Sequence, residues 1–162
     1  MKAPHLISPP TKLVVECSLM RKYRRSAHAA YEIKYHFVWC PKYRFRILDG
    51  EVKPWLERAI SEVCEALDVL IVEGCVSKDH VHLCVSAPPK LSPSLIVQKI
   101  KGQTAERIFR EFPQLTKRYW GQHFWARGYF VSTVGIDEAT IKRYIKEQSD
   151  DDTSDKQMRF WK

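Results

Sequence analysis

Alternating apolar and polar residues predict four β-strands in this chain. The first runs from Tyr31 to Trp39, where an aromatic or aliphatic residue occupies every second position. Apolar and β-branched residues over 69–76 predict a second strand, and the alternation over 80–86 predicts a third. The short polar segment between these two is typical of a hairpin connection. A last strand is predicted over 129–134.

Apolar residues that recur at intervals of three and four predict three helices. The first runs over about 54–68 and begins at Pro54, since proline is well tolerated in the first helical turn. The second lies over about 92–113, between a serine that can cap its start and a proline that ends it. The third spans 137–148, with Asp137 as its N-cap.

The predicted elements follow the order β-α-β-β-α-β, with one further helix at the C-terminal end. This is the order of the ferredoxin-like, or RRM-like, α+β fold, in which one antiparallel sheet carries its helices on one face. Val81, Leu83 and Val85 would then face the helices. We expect His80 and His82 to face away from them, on the open side of the sheet.

Composition predicts a single globular domain with charged ends. The chain has 162 residues, of which 44% are hydrophobic and 28% charged, which argues against a disordered or a membrane protein. We predict a basic extension over 1–27, one domain over 28–149 and an acidic tail over 150–162. The N-terminus resembles no signal peptide, so we expect a cytoplasmic protein with no membrane partner. The five cysteines show no Cys-x-x-Cys spacing and are expected to be reduced and mostly buried.

The distribution of charge favours a nucleic-acid partner. Residues 1–48 hold ten Lys or Arg and two acidic residues, whereas the rest of the chain holds seventeen of each, so the whole net charge of +8 is N-terminal. A basic tail with no specific partner is the alternative. Basic residues that alternate with aromatic ones suit phosphate contact and base stacking, although a solvated strand or helix face would look the same. The DNA-binding candidates are Lys42, Arg44, Arg46, Lys99 and Lys101.

Two pairs of residues point to chemistry. His80 and His82 lie two residues apart on a predicted strand, about 6.6 Å between Cα atoms, so that both imidazoles could reach one metal ion. Tyr144 and Gln148 are four apart on a predicted helix, which places a nucleophile beside a possible ligand. Two ordinary surface histidines, and a tyrosine in a buried helix stripe with a helix-end glutamine, remain open as alternatives.

The segment from 115 to 130 is rich in aromatic residues, for which we favour core packing over a stacking platform. These residues are Tyr119, Trp120, His123, Phe124, Trp125 and Tyr129.

Taken together, four segments resemble the single-tyrosine HUH transposases, the family encoded by small insertion sequences that move as single-stranded DNA. The resemblance spans roughly 23–148. It is carried by Tyr35-His36-Phe37-Val38-Trp39-Cys40-Pro41-Lys42-Tyr43-Arg44, His80-Val81-His82-Leu83, Trp125-Ala126-Arg127-Gly128-Tyr129-Phe130-Val131-Ser132-Thr133-Val134-Gly135, and Ile141-Lys142-Arg143-Tyr144-Ile145-Lys146-Glu147-Gln148.

The resemblance implies a mechanism. Tyr144 would be the nucleophile that attacks a DNA phosphodiester and leaves a 5′-phosphotyrosine and a free 3′-hydroxyl. His80, His82 and Gln148 would bind Mg²⁺ or Mn²⁺, although imidazole ligands by themselves favour transition metals. The partners implied are single-stranded DNA hairpins and a second copy of the chain, whose tyrosine helix could complete the site. Gly135 would be the joint of that helix.

Two alternatives remain. One is a non-catalytic RRM-like module in which Tyr35, Phe37 or Trp39 stack on bases. The other is a domesticated relative that processes chromosomal repeat hairpins.

Overall fold

The computed structural model describes residues 23–119 and 123–133. The Cα positions divide the chain into two compact units, one ending at Glu32 and the other beginning at Ile33. The described part of the first unit is a short antiparallel ribbon of β1 (Arg24–Arg25) and β2 (Ala30–Tyr31). Within it the Arg24 guanidinium lies 5.5 Å from the centre of the Tyr31 ring.

The second unit contains a four-stranded antiparallel sheet in the order β4-β5-β3-β6. Since β3 and β4 both pair with β5, they run parallel to each other with β5 between them, as the split β-α-β pattern requires. This confirms the predicted α+β class and element order; the predicted helix over 137–148 lies outside the described residues. The elements are β3 (Lys34–Trp39), α1 (Val52–Ala66), β4 (Leu70–Val76), β5 (Val81–Ser86), α2 (Pro93–Glu111) and β6 (Phe130–Thr133).

Each helix shows a feature predicted from the sequence: the spacing of buried residues in α1 and the capping serine of α2. Helix α1 buries Leu56, Ile60 and Val63, which follow the predicted spacing, and begins two residues before Pro54. Helix α2 is capped by Ser92, whose side-chain oxygen accepts a hydrogen bond from the backbone N–H of Leu95 at 3.2 Å. None of the helices in the described part of the chain is long and apolar enough to cross a membrane.

One face of the sheet belongs to the hydrophobic core that it shares with the two helices. The cross-strand neighbours Leu83 and Phe37 lie there, and so do Val81 and Trp39. Phe37 and Trp39 are 0% and 1% exposed, so neither ring is available on the surface. The RRM-like alternative therefore loses two of its three proposed stacking residues.

Contrary to our expectation of an open face, the centre of the other face of the sheet is buried, although Phe130 at its edge is 45% exposed. His36, His82, Cys84 and Ser86 all lie on it and are all buried. Alternation predicted correctly that His82 points away from the helices, but it carries no information on what packs over that second face. The candidate site is therefore a buried one.

The boundaries of two predicted strands were wrong. The first was predicted from Tyr31, but Tyr31 belongs to β2, and β3 begins at Lys34. His80 was predicted on the third strand, but it lies in the turn just before β5, where its carbonyl accepts a hydrogen bond from the N–H of Ser77 at 2.9 Å. An alternating pattern shows neither a change of strand partner nor the last residue of a hairpin turn.

The aromatic segment after α2 packs largely as predicted. Tyr119, Phe124 and Trp125 are buried, whereas Trp120 lies outside the described residues and His123 is exposed. The indole N–H of Trp125 donates to the Thr104 hydroxyl on α2 at 2.9 Å.

The cysteines agree with the prediction of reduced thiols as far as they are described. Cys40, Cys64, Cys75 and Cys84 are free, and the last three are buried. Burial raises the pKa of the Cys64 thiol to about 12. Cys17 lies outside the described residues.

Candidate functional site

The structure brings the rings of His80 and His82 together. Their centroids are 4.9 Å apart and the rings meet edge to face. His82 lies within β5, opposite Cys75 of β4 and Val38 of β3, and His80 reaches the same place from the hairpin turn. The two imidazoles are therefore close enough to serve one site, and their binding of a metal ion stays a prediction.

His80 is held by a carboxylate that is itself held by an arginine. The Nδ1–H of His80 donates to Asp79 Oδ1 at 2.6 Å, and Arg44 Nε forms an ion pair with Asp79 Oδ2 at 3.2 Å. The hydrogen bond from His80 lowers the pKa of the Asp79 carboxyl, and the charges of His80, Arg44 and Arg46 act in the same direction. With Nδ1 engaged in this way, a metal would be ligated through Nε2, an arrangement common among metal-binding histidines.

His82 has a partner of a different kind. Nε2 of His36, on β3, lies 3.1 Å from Nδ1 of His82, within hydrogen-bond distance. The two rings are nearly parallel, with centroids 5.3 Å apart and planes inclined by 12°. This contact also occupies Nδ1, so His82 too would ligate a metal through Nε2.

Burial keeps the imidazole of His82 neutral. It lowers the pKa of His82 to about 3, with smaller contributions from the charges of His80 and His36, and it also lowers the pKa of His36. A neutral imidazole is the form that binds metal ions.

A strained turn places Arg44 against Asp79. Tyr43 and Arg44 have φ angles of 62° and 54°, in the left-handed region that non-glycine residues rarely adopt. The backbone N–H of Lys42 donates to the carbonyl of Phe124 at 2.8 Å, and that of Arg44 to Pro41 at 2.9 Å. Strain of this kind persists where surrounding contacts enforce it and is frequent at functional sites.

The basic candidates differ in their surroundings. Arg46 and Lys99 are exposed, and Lys42 is half-buried with its ammonium 4.9 Å from the centre of the exposed Tyr43 ring. Arg44 is 40% exposed while bonded to Asp79. Their roles in DNA binding stay predictions.

Lys101 has a structural role in the chain. Its ammonium donates to three consecutive carbonyls, those of Ala126, Arg127 and Gly128, at 2.6, 3.2 and 3.1 Å. Burial lowers the pKa of this lysine. These bonds use the three donors of the ammonium group, and the predicted contact of Lys101 with DNA stays a prediction.

The rest of the predicted site lies outside the described residues, namely Tyr144, Gln148 and the proposed joint at Gly135. Within 23–119 and 123–133, no group of three or more His, Cys, Asp or Glu side chains is arranged to hold a metal ion. His80 and His82 fit a metal by their chemistry, because imidazole nitrogens are common metal ligands and the Nδ1 atom of each ring has a partner within the fold, so that Nε2 would be the ligating atom. They would need at least one more ligand from elsewhere.

A model of the family described as "Transposase IS200 like" matches residues 29–148. The chain belongs to the IS200-like transposase family. Membership gives the protein its class, that of enzymes of DNA transposition, and confirms the family that the four sequence segments resemble.

Curated members of this family are similar over most of their length. The transposase for insertion sequence element IS200 of Salmonella typhimurium is 36% identical over 132 residues, which cover 82% of this chain and 87% of that protein. The ISDra2 transposase TnpA of Deinococcus radiodurans is 37% identical over 123 residues, which cover 74% of this chain and 86% of that protein.

Two solved structures have a similar fold. A Deinococcus radiodurans R1 protein assigned as a transposase superposes with a TM-score of 0.65 at 32% identity, covering 77% of this chain and 97% of that one. A REP-associated tyrosine transposase, bound to a REP hairpin, superposes with a TM-score of 0.50 at 15% identity, covering 75% of this chain and 68% of that one. The second similarity concerns the fold alone.

Sequence reasoning selected the two site histidines but missed the residues that orient them. Asp79 directly precedes His80, so a carboxylate next to the first histidine was a usable signal. His36 is 46 residues from His82, and only the pairing of β3 with β5 brings the two together. Without that register, no spacing in the sequence indicates the contact.

Proposed function

We propose that this transposase cleaves and rejoins single-stranded DNA, with Tyr144 as nucleophile and a divalent metal ion bound by His80, His82 and Gln148. One observation carries the proposal. Two imidazoles lie 4.9 Å apart in a chain of a transposase family, and in each the Nδ1 atom already has a partner. Paired histidines oriented in this way suit a metal site beside a phosphate far better than two surface side chains would.

The proposed reaction is a transesterification. The Tyr144 oxygen forms a bond to the phosphorus of a phosphodiester and gives up its proton, while the bond from phosphorus to the 3′ oxygen breaks. The 3′ oxygen takes up a proton, which yields a 5′-phosphotyrosine and a free 3′-hydroxyl. Rejoining is the reverse step, in which a 3′-hydroxyl attacks the phosphotyrosine, so the energy of the broken bond is retained.

The residues of the site prepare the phosphate for this attack. His80 and His82 would present their Nε2 atoms to the ion, and Arg44 and Asp79 fix the first of these rings. A divalent ion held by these residues would supply positive charge that stabilises the charge developing on the phosphate oxygens. We assign the ion as Mg²⁺ or Mn²⁺ from the family resemblance.

The proposed substrates are DNA hairpins at the ends of an insertion sequence. The net charge of +8 supports a polyanionic partner, and one protein of similar fold was solved with a REP hairpin. We further propose that the chain acts as a homodimer, in which the tyrosine helix of one protomer can complete the metal site of the other.

Replacing Tyr144 with Phe tests the nucleophile. We expect no covalent adduct with a labelled single-stranded hairpin on a denaturing gel, while hairpin binding by gel shift is retained. Tyr43→Phe is a matched control, because Tyr43 is 64% exposed and the change removes one hydroxyl there too. An adduct of unchanged yield in Tyr144→Phe would refute the assignment.

The same gel separates the alternatives. A non-catalytic RRM-like module would give no adduct with the wild-type protein, with or without metal, and the burial of Phe37 and Trp39 counts against it. A domesticated relative would form the adduct on chromosomal repeat hairpins rather than on element ends flanking its own gene.

A further inference from the structure

We infer that His36 is a positioning residue of the proposed metal site: its Nε2 accepts a hydrogen bond from Nδ1–H of His82 and so directs Nε2 of His82 toward the ion. The inference rests on the proposed function to the extent that it needs a metal at His80 and His82. His36 itself is not a proposed ligand, since the nitrogen that faces the site is used by His82.

Sheet register explains why His36 can reach His82. On β3 and β5, His36 pairs with Cys84, and Val38 pairs with His82. His36 and His82 are therefore diagonal neighbours on the same face, where Cα atoms are about 7–8 Å apart and rings can touch. The ring planes are inclined by only 12° and the centroids are 5.3 Å apart, so the two nitrogens, 3.1 Å apart, face each other within the ring planes.

The nitrogen atoms that carry protons determine the direction of this hydrogen bond. A nitrogen that ligates a metal carries no proton, so a His82 that ligates through Nε2 must carry its proton on Nδ1. The nitrogen of His36 that faces it must then accept, and His36 carries its own proton on the other nitrogen. Without His36, His82 could take the other tautomer, in which the metal-facing nitrogen is blocked by a proton.

The two imidazoles of the site are thus oriented by different groups. His80 donates to the carboxylate of Asp79, whereas His82 donates to a neutral ring in a buried part of the sheet. His36 is 8% exposed and also meets Phe130 edge to face, with centroids 6.3 Å apart. A purely packing role for His36 would be satisfied by any ring of similar shape, and the variants below separate the two roles.

Two substitutions at His36 keep different properties of the side chain. His36→Phe keeps an aromatic ring but removes the acceptor, and His36→Gln removes the ring but places an amide oxygen at similar reach. In calorimetric titrations of Mn²⁺ into the full-length protein, we expect His36→Phe to weaken binding about 10- to 100-fold, as losses of such partners do. We expect His36→Gln to stay within about threefold of wild type, because the hydrogen bond is restored. His123→Phe, at an exposed histidine, is the matched control and should bind as wild type does.

A second readout needs neither metal nor a variant of His36. In ¹⁵N-resolved NMR of the metal-free wild-type protein, with the His82 signals assigned by loss in His82→Gln, we expect His82 to carry its proton on Nδ1. A proton on Nε2 of His82, or wild-type Mn²⁺ affinity in a folded His36→Phe, would overturn the inference. If the wild-type protein binds no Mn²⁺ but His82 carries its proton on Nδ1, the metal site of the proposed function is refuted, whereas the hydrogen bond from His82 to His36 is supported.

Discussion

His82 shows how burial can set the protonation state of one side chain. The residue is 5% exposed, and its surroundings lower its pKa from 6.5 to about 3. The imidazole therefore stays neutral at pH values where a histidine in the unfolded chain is protonated. Keeping this imidazole neutral lowers the free energy of unfolding at acidic pH, and this decrease can be measured.

We expect acid to destabilise the metal-free protein through His82. Between about pH 6.5 and 3 the unfolded chain binds a proton that the folded chain does not bind, so the free energy of unfolding falls as the pH falls. The contribution of one such group is at most about 1.4 kcal/mol per pH unit. Urea unfolding in the presence of a chelator, at pH 7, 6 and 5, measures it.

His82→Gln removes this titration, so its free energy of unfolding should depend less steeply on pH than that of wild type. His123→Gln removes an exposed imidazole instead and is the control, in which the pH dependence of the free energy of unfolding should remain that of wild type. Equal pH dependence in wild type and His82→Gln would contradict the expectation.

At the scale of elements, the predictable features were those that the chain encodes locally. The β4–β5 hairpin follows from two apolar runs around a polar turn, and the start of α2 follows from Ser92 before Pro93. The pairing of strands across the sheet, in contrast, depends on segments that are far apart in the sequence. This is why the His36 contact, and the burial of the face that carries His82, could not be predicted.

The contact of α2 with the segment before β6 is a second long-range feature of this kind. The sequence makes Lys101 a candidate for DNA contact because it lies along the polar part of α2, with a solvated helix face as the alternative, yet its ammonium donates to three carbonyls 25 to 27 residues away. These bonds anchor the segment that connects Trp125 to β6. The sequence shows a lysine at this position but not the carbonyls around it.

Lys101→Met tests this anchoring role. It keeps an unbranched side chain of similar length and removes the donors, so three carbonyls lose their partner. We expect a loss of about 1–3 kcal/mol in the free energy of unfolding. Lys99→Met, at an exposed position on the same helix, should change it by about 0.5 kcal/mol or less. Chemical denaturation followed by tryptophan fluorescence measures both, and similar values for the two variants would rule out the anchoring role.

At the scale of the whole molecule, charge is distributed unevenly along the chain. All of the net charge of +8 comes from residues 1–48, a range that includes Lys42 and Arg44 of the strained turn. Arg44 connects that turn to the site through Asp79 and His80. A strand of DNA whose phosphate lies at His80 would therefore pass close to the turn. Lys42 is the cation there whose ammonium lies by an exposed aromatic ring, that of Tyr43.

Lys42→Gln should therefore weaken hairpin binding in a salt-dependent way. Each phosphate contact that a lysine makes with single-stranded DNA releases counterions and adds about 0.7 to the slope of log affinity against log salt concentration. We expect that slope to become shallower by about 0.7 in Lys42→Gln, as measured by fluorescence anisotropy of a labelled hairpin over a series of salt concentrations. Lys53→Gln removes the same charge from an exposed position on α1 and should leave the slope unchanged, because α1 packs on the sheet face opposite His82. Equal slopes for wild type and both variants would place the DNA backbone away from the turn, whereas equal reductions in both would indicate a response to net charge alone.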